Sequence, residues 1–308
     1  MLRVVSASCA KFKDRGPDQP AWKKIAKAEP DLLILLGDNV YAPSKKWSTK
    51  KLRKKYEEQF GMVPDFTDLL EQTQVLATWD DHDFGINNAK GETKDGRRYR
   101  DGARDLFLHY LTPRVNDPHL LSRVESEIYC TYEQDGVLFI VLDARYYRAP
   151  STILDPDPST PISRRGGEPE DFLGETQANW LWEQLARAQY GGYRATVICC
   201  GTTIGEGITD KKLQPGKAGE RVRHYGGFLE DLRDRFSVCP TPIFLSGDIH
   251  TNRFVQHQGF AEVISSGVAR MGEKKPKDNW AQLDFGETEV RVTLNWRDKQ
   301  RHYRIAYS

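Results

Sequence analysis

No stretch of the chain is apolar for long enough to cross a bilayer, which takes about 20 residues; the longest such run, Leu32 to Leu36, has the length of one buried strand. The start, MLRVVSASCAKF, lacks a charged segment followed by an apolar one and does not read as an export signal. Charge of neither sign dominates, with 45 Lys and Arg against 44 Asp and Glu. Such a chain has no general field to recruit nucleic acid or anionic lipid, so any attraction for an anion must be local. A disulfide framework is missing too: the five cysteines are odd in number, and Cys199 and Cys200 are adjacent on a strand-like stretch. Reduced thiols, and with them a cytoplasmic protein, are the expectation. There is no internal repeat and no linker, so residues 1–308 are expected to form one domain.

What is present is an alternation of short β-branched or Leu-rich runs with longer amphipathic stretches, the pattern of an α/β protein. Strands are expected at Leu2–Ser8, Leu32–Leu36, Val75–Trp79, Ala195–Cys200 and Pro242–Leu245. Helices are expected at Trp22–Ala28, Thr49–Phe60, Arg98–Leu111 and Gln177–Arg187. Glu127–Tyr132 and Val137–Leu142 flank Gln134-Asp135-Gly136 as a hairpin. A second hairpin is expected over residues 289–306, at the C-terminal end. Residues 149–174 are rich in Pro, Gly and Asp and are expected to be a long loop, of the kind that often serves as a lid.

Four apolar strands end in polar clusters: Ser6-Ala7-Ser8-Cys9, Gly37-Asp38-Asn39-Val40-Tyr41, Asp80-Asp81-His82-Asp83, and Ser246-Gly247-Asp248-Ile249-His250. In an open α/β sheet, ligands bind outside the carboxyl ends of strands, so these clusters converge on one crevice. Each alone has a plainer explanation. Gly-Asp after a strand is usually a turn, and a lone cysteine is usually a small buried hydrophobe. Together they outweigh it, because carboxylates crowded into a crevice repel and protonate unless cations hold them.

Gly-Asp, then an Asp-His pair, then Gly-x-x-His, in that order, resembles the skeleton of the calcineurin-like metallophosphoesterases. The spellings GDNVY, TWDDHDFG and LSGDIH resemble the PhoD-type alkaline phosphatases within that superfamily, as do Leu142-Asp143-Ala144-Arg145-Tyr146-Tyr147-Arg148 and Leu173-Gly174-x-x-Gln177-x-x-Trp180-Leu181. The likeness runs from about Ser6 to His250. It implies a four-layer α/β/β/α sandwich and a phosphoesterase using two or more metal ions. Carried over by position, it makes Cys9, Asp38, Tyr41, Asp81, Asp248 and His250 the metal ligands, with Asp38 bridging. Tyr41 stands where purple acid phosphatases place their iron-binding tyrosine. His82 falls on the position that protonates the leaving group. The chain departs from the common pattern after Cys200, where Gly201-Thr202-Thr203 replaces an isolated histidine.

Thiolate, phenolate and imidazole around one position favour Fe(III), while an oxygen-only set suits Ca, Mg or Mn. Iron with calcium is therefore expected, and Mn, Mg and Zn stay open. Two ions would clamp phosphoryl oxygens and acidify a water, with His82 protonating the departing alkoxide. Arg145, just past a strand end, could grip a non-bridging oxygen as a fork of donors, or be a surface arginine paired with Asp143. Arg148, Arg164 and Arg165 read as solvated loop charges. Asn87 could reach phosphate or the second metal, or simply make a turn.

The expected partner is a small-molecule phosphoester, and oligomeric state is left open. A DNA nuclease is disfavoured by the missing basic stripe. The alternative from another class is a metal- or ligand-binding module without hydrolase activity, against which an intact His82 argues. The chain begins directly at the catalytic strand, which favours an intracellular substrate over phosphate scavenging outside the cell.

Overall fold

The computed structural model describes residues 1–42, 47–151, 171–206 and 221–308. Two sheets are stacked between two helical layers. The first sheet has six strands in the order β13-β12-β11-β1-β2-β3, and the second has seven in the order β4-β5-β6-β7-β8-β10-β9. At the centre of the first are β1 (Leu2–Ala7), β2 (Leu32–Leu36) and β3 (Gln74–Thr78), mutually parallel. At the centre of the second are β6 (Val137–Val141), β7 (Ala195–Cys200) and β8 (Pro242–Ser246), parallel as well.

The layers follow from side-chain alternation along fully apolar strands. In β2, Leu32, Ile34 and Leu36 point into the core between the sheets, while Leu33 and Leu35 point into an outer core. That outer core is filled by α2 (Pro20–Ala26), α3 (Thr49–Met62), α4 (Pro64–Gln72) and α6 (Lys94–Leu111). In β6, Val137, Phe139 and Val141 join the inter-sheet core, and Leu138 and Ile140 meet α7 (Glu175–Tyr190) and α8 (Gly226–Phe236) on the opposite side. The result is the four-layer α/β/β/α sandwich.

Several elements lie outside the sequence reading. These are β4 (Leu121–Arg123), β9 (Arg253–Gln256), β10 (Ala261–Ile264), β11 (Asn279–Phe285), α4 and α8. β11 pairs antiparallel with β1 and turns the expected C-terminal hairpin, β12 (Glu289–Trp296) and β13 (Lys299–Ala306), into a three-stranded meander. Helix α6 begins four residues before the expected Arg98, because the Thr93 hydroxyl caps it by accepting from the Gly96 amide at 3.0 Å. The first hairpin is β5 (Cys130–Gln134) with β6, shorter at its start than expected. Most of the expected lid, residues 152–170, lies outside the described residues, as do Arg164 and Arg165. Among the described residues no helix is long and apolar enough to cross a membrane.

Candidate metal centre

The carboxyl ends of β1, β2, β3 and β8 meet at one edge of the sandwich. Gly37 and Gly247 make the approach close enough. A Cβ on Gly37 would lie 2.6 Å from the Asp80 Cβ, and one on Gly247 would lie 2.5 Å from the Leu36 carbonyl oxygen. Immediately beyond the strands, the backbone turns left-handed at Cys9 (φ 63°), Asp38 (φ 52°), Asp248 (φ 70°) and His250 (φ 56°). Each such residue costs on the order of 1 kcal/mol, and clustering of this kind is typical of ligand clamps. Helix α5 (Asp81–Phe84) directly follows Asp80 and gives Asp81 and His82 one short turn.

Two donor groups result. Cys9, Asp38 and His250 offer one ligand atom each, all within 4.8 Å of one another, and so do Asp38, Asp81 and His82. Asp38 belongs to both. The Cys9 Sγ lies 3.6 Å from Asp38 Oδ2, and the Tyr41 hydroxyl lies 3.1 Å from His250 Nε2, which adds the phenol to the first group. The His82 amide donates to Asp38 Oδ1 at 3.2 Å, and the Asn88 amide to Asp81 Oδ2. Asp248 belongs to neither group; its backbone carbonyl lies 3.9 Å from Cys9 Sγ, and its carboxylate is close enough to feel Asp80, Asp81 and Arg145.

The electrostatics are those of negative groups crowded together. Burial, then repulsion from Asp81, Asp80 and Asp83, pushes Asp38 well above the usual carboxylate range. Burial and Asp38 push the Cys9 thiol up, and the same two causes act on Tyr41. Asp248 rises to about 6, mainly through burial, with Asp80 adding to it. Asp81 is the exception: burial raises it, but His82 and Arg145 hold it below the ordinary value. Burial, then Arg270 and Lys277, pushes His250 down to about 3, so it stays a neutral donor. The residues fit metal ions. Neutral imidazole, thiol, phenol and carboxylates converge, and Asp80 Oδ2 and His82 Nδ1 are buried with no hydrogen-bond partner.

Behind the donors lies a supporting layer. Arg145, 3% exposed, is neither a surface arginine nor part of the cavity wall. Its Nε and Nη2 lie 2.7 and 2.5 Å from Asp80 Oδ1, Nη1 donates to the Ala89 carbonyl at 3.2 Å, and Nη2 donates to Thr202. The Asp143 carboxylate accepts from Trp79 Nε1 and from the Arg145 and Tyr146 amides rather than from a guanidinium. Arg148, expected in solvent, is fully buried. It donates to Tyr225 at 3.0 Å and Thr202 at 3.1 Å, and its guanidinium stacks on Phe172 and Tyr225. Thr202, in the loop that lacks the superfamily's histidine, thus joins both arginines to Asp80. Asp83 accepts from the Val40 and Asp80 amides and the Asn39 side chain, tying the second and third strand ends together.

Sequence reasoning missed Ser266, whose Oγ lies 3.2 Å from Cys9 Sγ and accepts from the His250 amide at 2.7 Å. It follows β10 as the ligands follow their strands, and Ile264-Ser265-Ser266-Gly267 has the same apolar-to-polar spelling. Lys11 and Arg270 were missed as well. They flank the Tyr41 ring at 5.5 and 5.2 Å from its centroid. With His82, His250 and the exposed Asn87, Lys11, Arg270 and Tyr41 line a cavity of about 650 Å³ that opens from the donor groups.

The family model for PhoD-like phosphatases matches residues 4–303. No curated protein sequence matches. Among solved structures, one of PhoD aligns with a TM-score of 0.70 at 16% identity, over 98% of this chain and 68% of that one. A dimetal phosphatase from Danio rerio aligns with a TM-score of 0.61 at 14% identity, over 100% of this chain and 99% of that one. At these identities the two structures support the fold.

Proposed function

The chain belongs to the PhoD-like phosphatase family and is a metal-dependent phosphoesterase; from that premise we propose how its residues divide the reaction between them. Residues 1–308 act as one catalytic domain on a small-molecule phosphoester. Cys9, Tyr41, His250 and Asp38 hold one ion, for which thiolate and phenolate favour Fe(III). Asp38 and Asp81, with Asp248 drawn in, hold a second that takes oxygen ligands, for which calcium is favoured. When bound, two such ions would neutralise phosphoryl oxygens and acidify a water molecule.

The remaining steps belong to the chain. His82 stands at the cavity wall, half-buried, with its ring 4.3 Å from that of Tyr41, and it donates the proton that the leaving alkoxide needs. Burial lowers its proton affinity while Asp81 opposes that, and a phosphate ester bound beside it raises it again. Asn87 reaches the phosphoryl group from the rim. Arg145 serves through Asp80, holding that carboxylate in place behind Asp81, and is a positioning residue in this scheme.

The observation that carries the proposal is the single carboxylate common to both donor groups. Elemental analysis of Asp38→Asn tests it. Both ions should be lost together, and phosphoester hydrolysis with them. Retention of a full complement of either metal would sink the shared-ligand assignment.

A further inference from the structure

The cavity beside the donor groups carries a charge that the chain as a whole does not. Of the twelve described residues that line it, Lys11, Lys13, Lys55 and Arg270 are cationic and none carries a carboxylate. Composition does not explain this, since basic and acidic residues are almost equal over the sequence, 45 against 44. Lys11 and Arg270 share one counter-ion, Asp14, at 3.3 and 3.1 Å, so two cations face one anion. Lys55 is matched by Glu58 at 2.6 Å, while Lys13 adds a further positive charge on the exposed side of α1 (Phe12–Arg15). Arg270 also has unused capacity: its Nη1 faces Asp14, but its Nε is buried with no hydrogen-bond partner. Phe12, Val40 and Ala42 supply an apolar part of the wall, and the volume suits an organic ligand.

Resting on the phosphoesterase reading, we propose that this cavity is a subsite for a second anionic group on the leaving-group side of the ester. The substrate is a phosphoester whose alcohol portion carries a carboxylate, sulfate or further phosphate, held by Arg270, Lys11 and Lys13. The reacting phosphoryl group belongs at Asp38, Asp81 and His82. Tyr41, whose hydroxyl is 3.1 Å from His250 and whose ring has Lys11 and Arg270 at 5.5 and 5.2 Å, lines the same cavity as His82 and so adjoins both positions. A fork of guanidinium donors with a neighbouring ammonium is suited to such an anion.

The test compares two isosteric esters, 4-(carboxymethyl)phenyl phosphate and its neutral amide, 4-(carbamoylmethyl)phenyl phosphate, on metal-replete enzyme. Their leaving groups need protons equally, so only the remote charge differs. Wild type should favour the acid in kcat/KM on the order of 10- to 100-fold, the usual worth of hydrogen bonds to a charged group. Arg270→Gln should reduce that ratio to about one. Arg270 packs against Tyr41, so Lys13→Gln, on an exposed turn, serves as the second variant and should lower the ratio alone, as should added salt. Equal rates for acid and amide in wild type would overturn the subsite while leaving the phosphoesterase intact. Equal losses on both esters in Arg270→Gln would put that guanidinium on the reacting phosphate and overturn it too. No turnover of either ester would overturn the phosphoesterase reading beneath it.

Discussion

Replacing Arg145 by Met separates a guanidinium that holds the protein together from one that holds substrate. The side chain is 3% exposed and sits against Asp80, which is fully buried. Both contacts to Asp80 Oδ1, at 2.7 and 2.5 Å, would go, along with the donor to the Ala89 carbonyl. Asp80 Oδ2 already lacks a hydrogen-bond partner, so what would stay with the carboxylate is the Thr202 hydroxyl, 3.1 Å from Oδ1, and the capping approach of the Asp83 amide. Removing one member of a buried pair typically costs about 3–5 kcal/mol, because the other is left charged and desolvated. Urea denaturation of metal-stripped protein should show a loss of that size. The metal-loaded protein should lose less, since bound cations take over part of the neutralisation of Asp80. Adding Asp80→Leu to Arg145→Met, which removes both charges, should recover much of the stability. A midpoint unchanged to within about 1 kcal/mol, with kcat/KM reduced on the order of 10²-fold, would refute this reasoning and place the fork on the substrate.

His82→Ala should keep its metals and fold but lose on the order of 10²- to 10⁴-fold in kcat on alkyl phosphates, and much less on nitrophenyl phosphate, whose leaving group needs no proton. Equal losses on both would make His82 a positioning residue. If Tyr41 and Cys9 bind Fe(III), purified protein should absorb visible light, and Tyr41→Phe should shift or abolish the band; colourless, active, zinc-only protein would refute the iron assignment. The metal-free protein should lose stability as pH rises. Asp83, raised to about 8 chiefly by burial, and Asp143, raised to about 6 chiefly by burial, hold protons in the folded state that the unfolded chain releases near pH 4. Their stabilising protonation is complete below that pH and is lost between about 4 and 8; a midpoint that rose over that range would contradict it.

How much of this was legible in the sequence depended on the distance over which each feature is decided. Leu32–Leu36 and Ala195–Cys200 read directly as strands, because a strand buried on both faces is apolar at every position. The donors read from the same logic, as polar residues where apolar runs stop. β11 was passed over although Ala281, Leu283 and Phe285 alternate cleanly, since its place beside β1 is decided by partners more than 270 positions away. In α8, Leu229, Leu232 and Phe236 have helical spacing but follow a Gly pair that masks the start. Arg148 shows the limit. A charge in a Tyr-rich loop looks solvated, and its burial rests on Thr202 and Tyr225, 54 and 77 positions away. The expectation that Asp38 is shared came from family likeness, while the fork on Asp80 joins residues 65 positions apart and left no local signal.

The position of β1 has a consequence for the timing of assembly. This strand lies between β2 and β11, and Cys9 is seated by Ser266, 257 positions further along. At roughly 5–20 residues per second of synthesis, the Cys9 thiol waits tens of seconds for the segments that enclose it. For that interval β1 has one open edge, a template for wrong pairing, and the thiol has the adjacent Ser8 but not yet Ser266. A ribosome stalled before residue 266 therefore carries a nascent chain whose Cys9 is complete while Ser266 and β11, which enclose it, are still unmade.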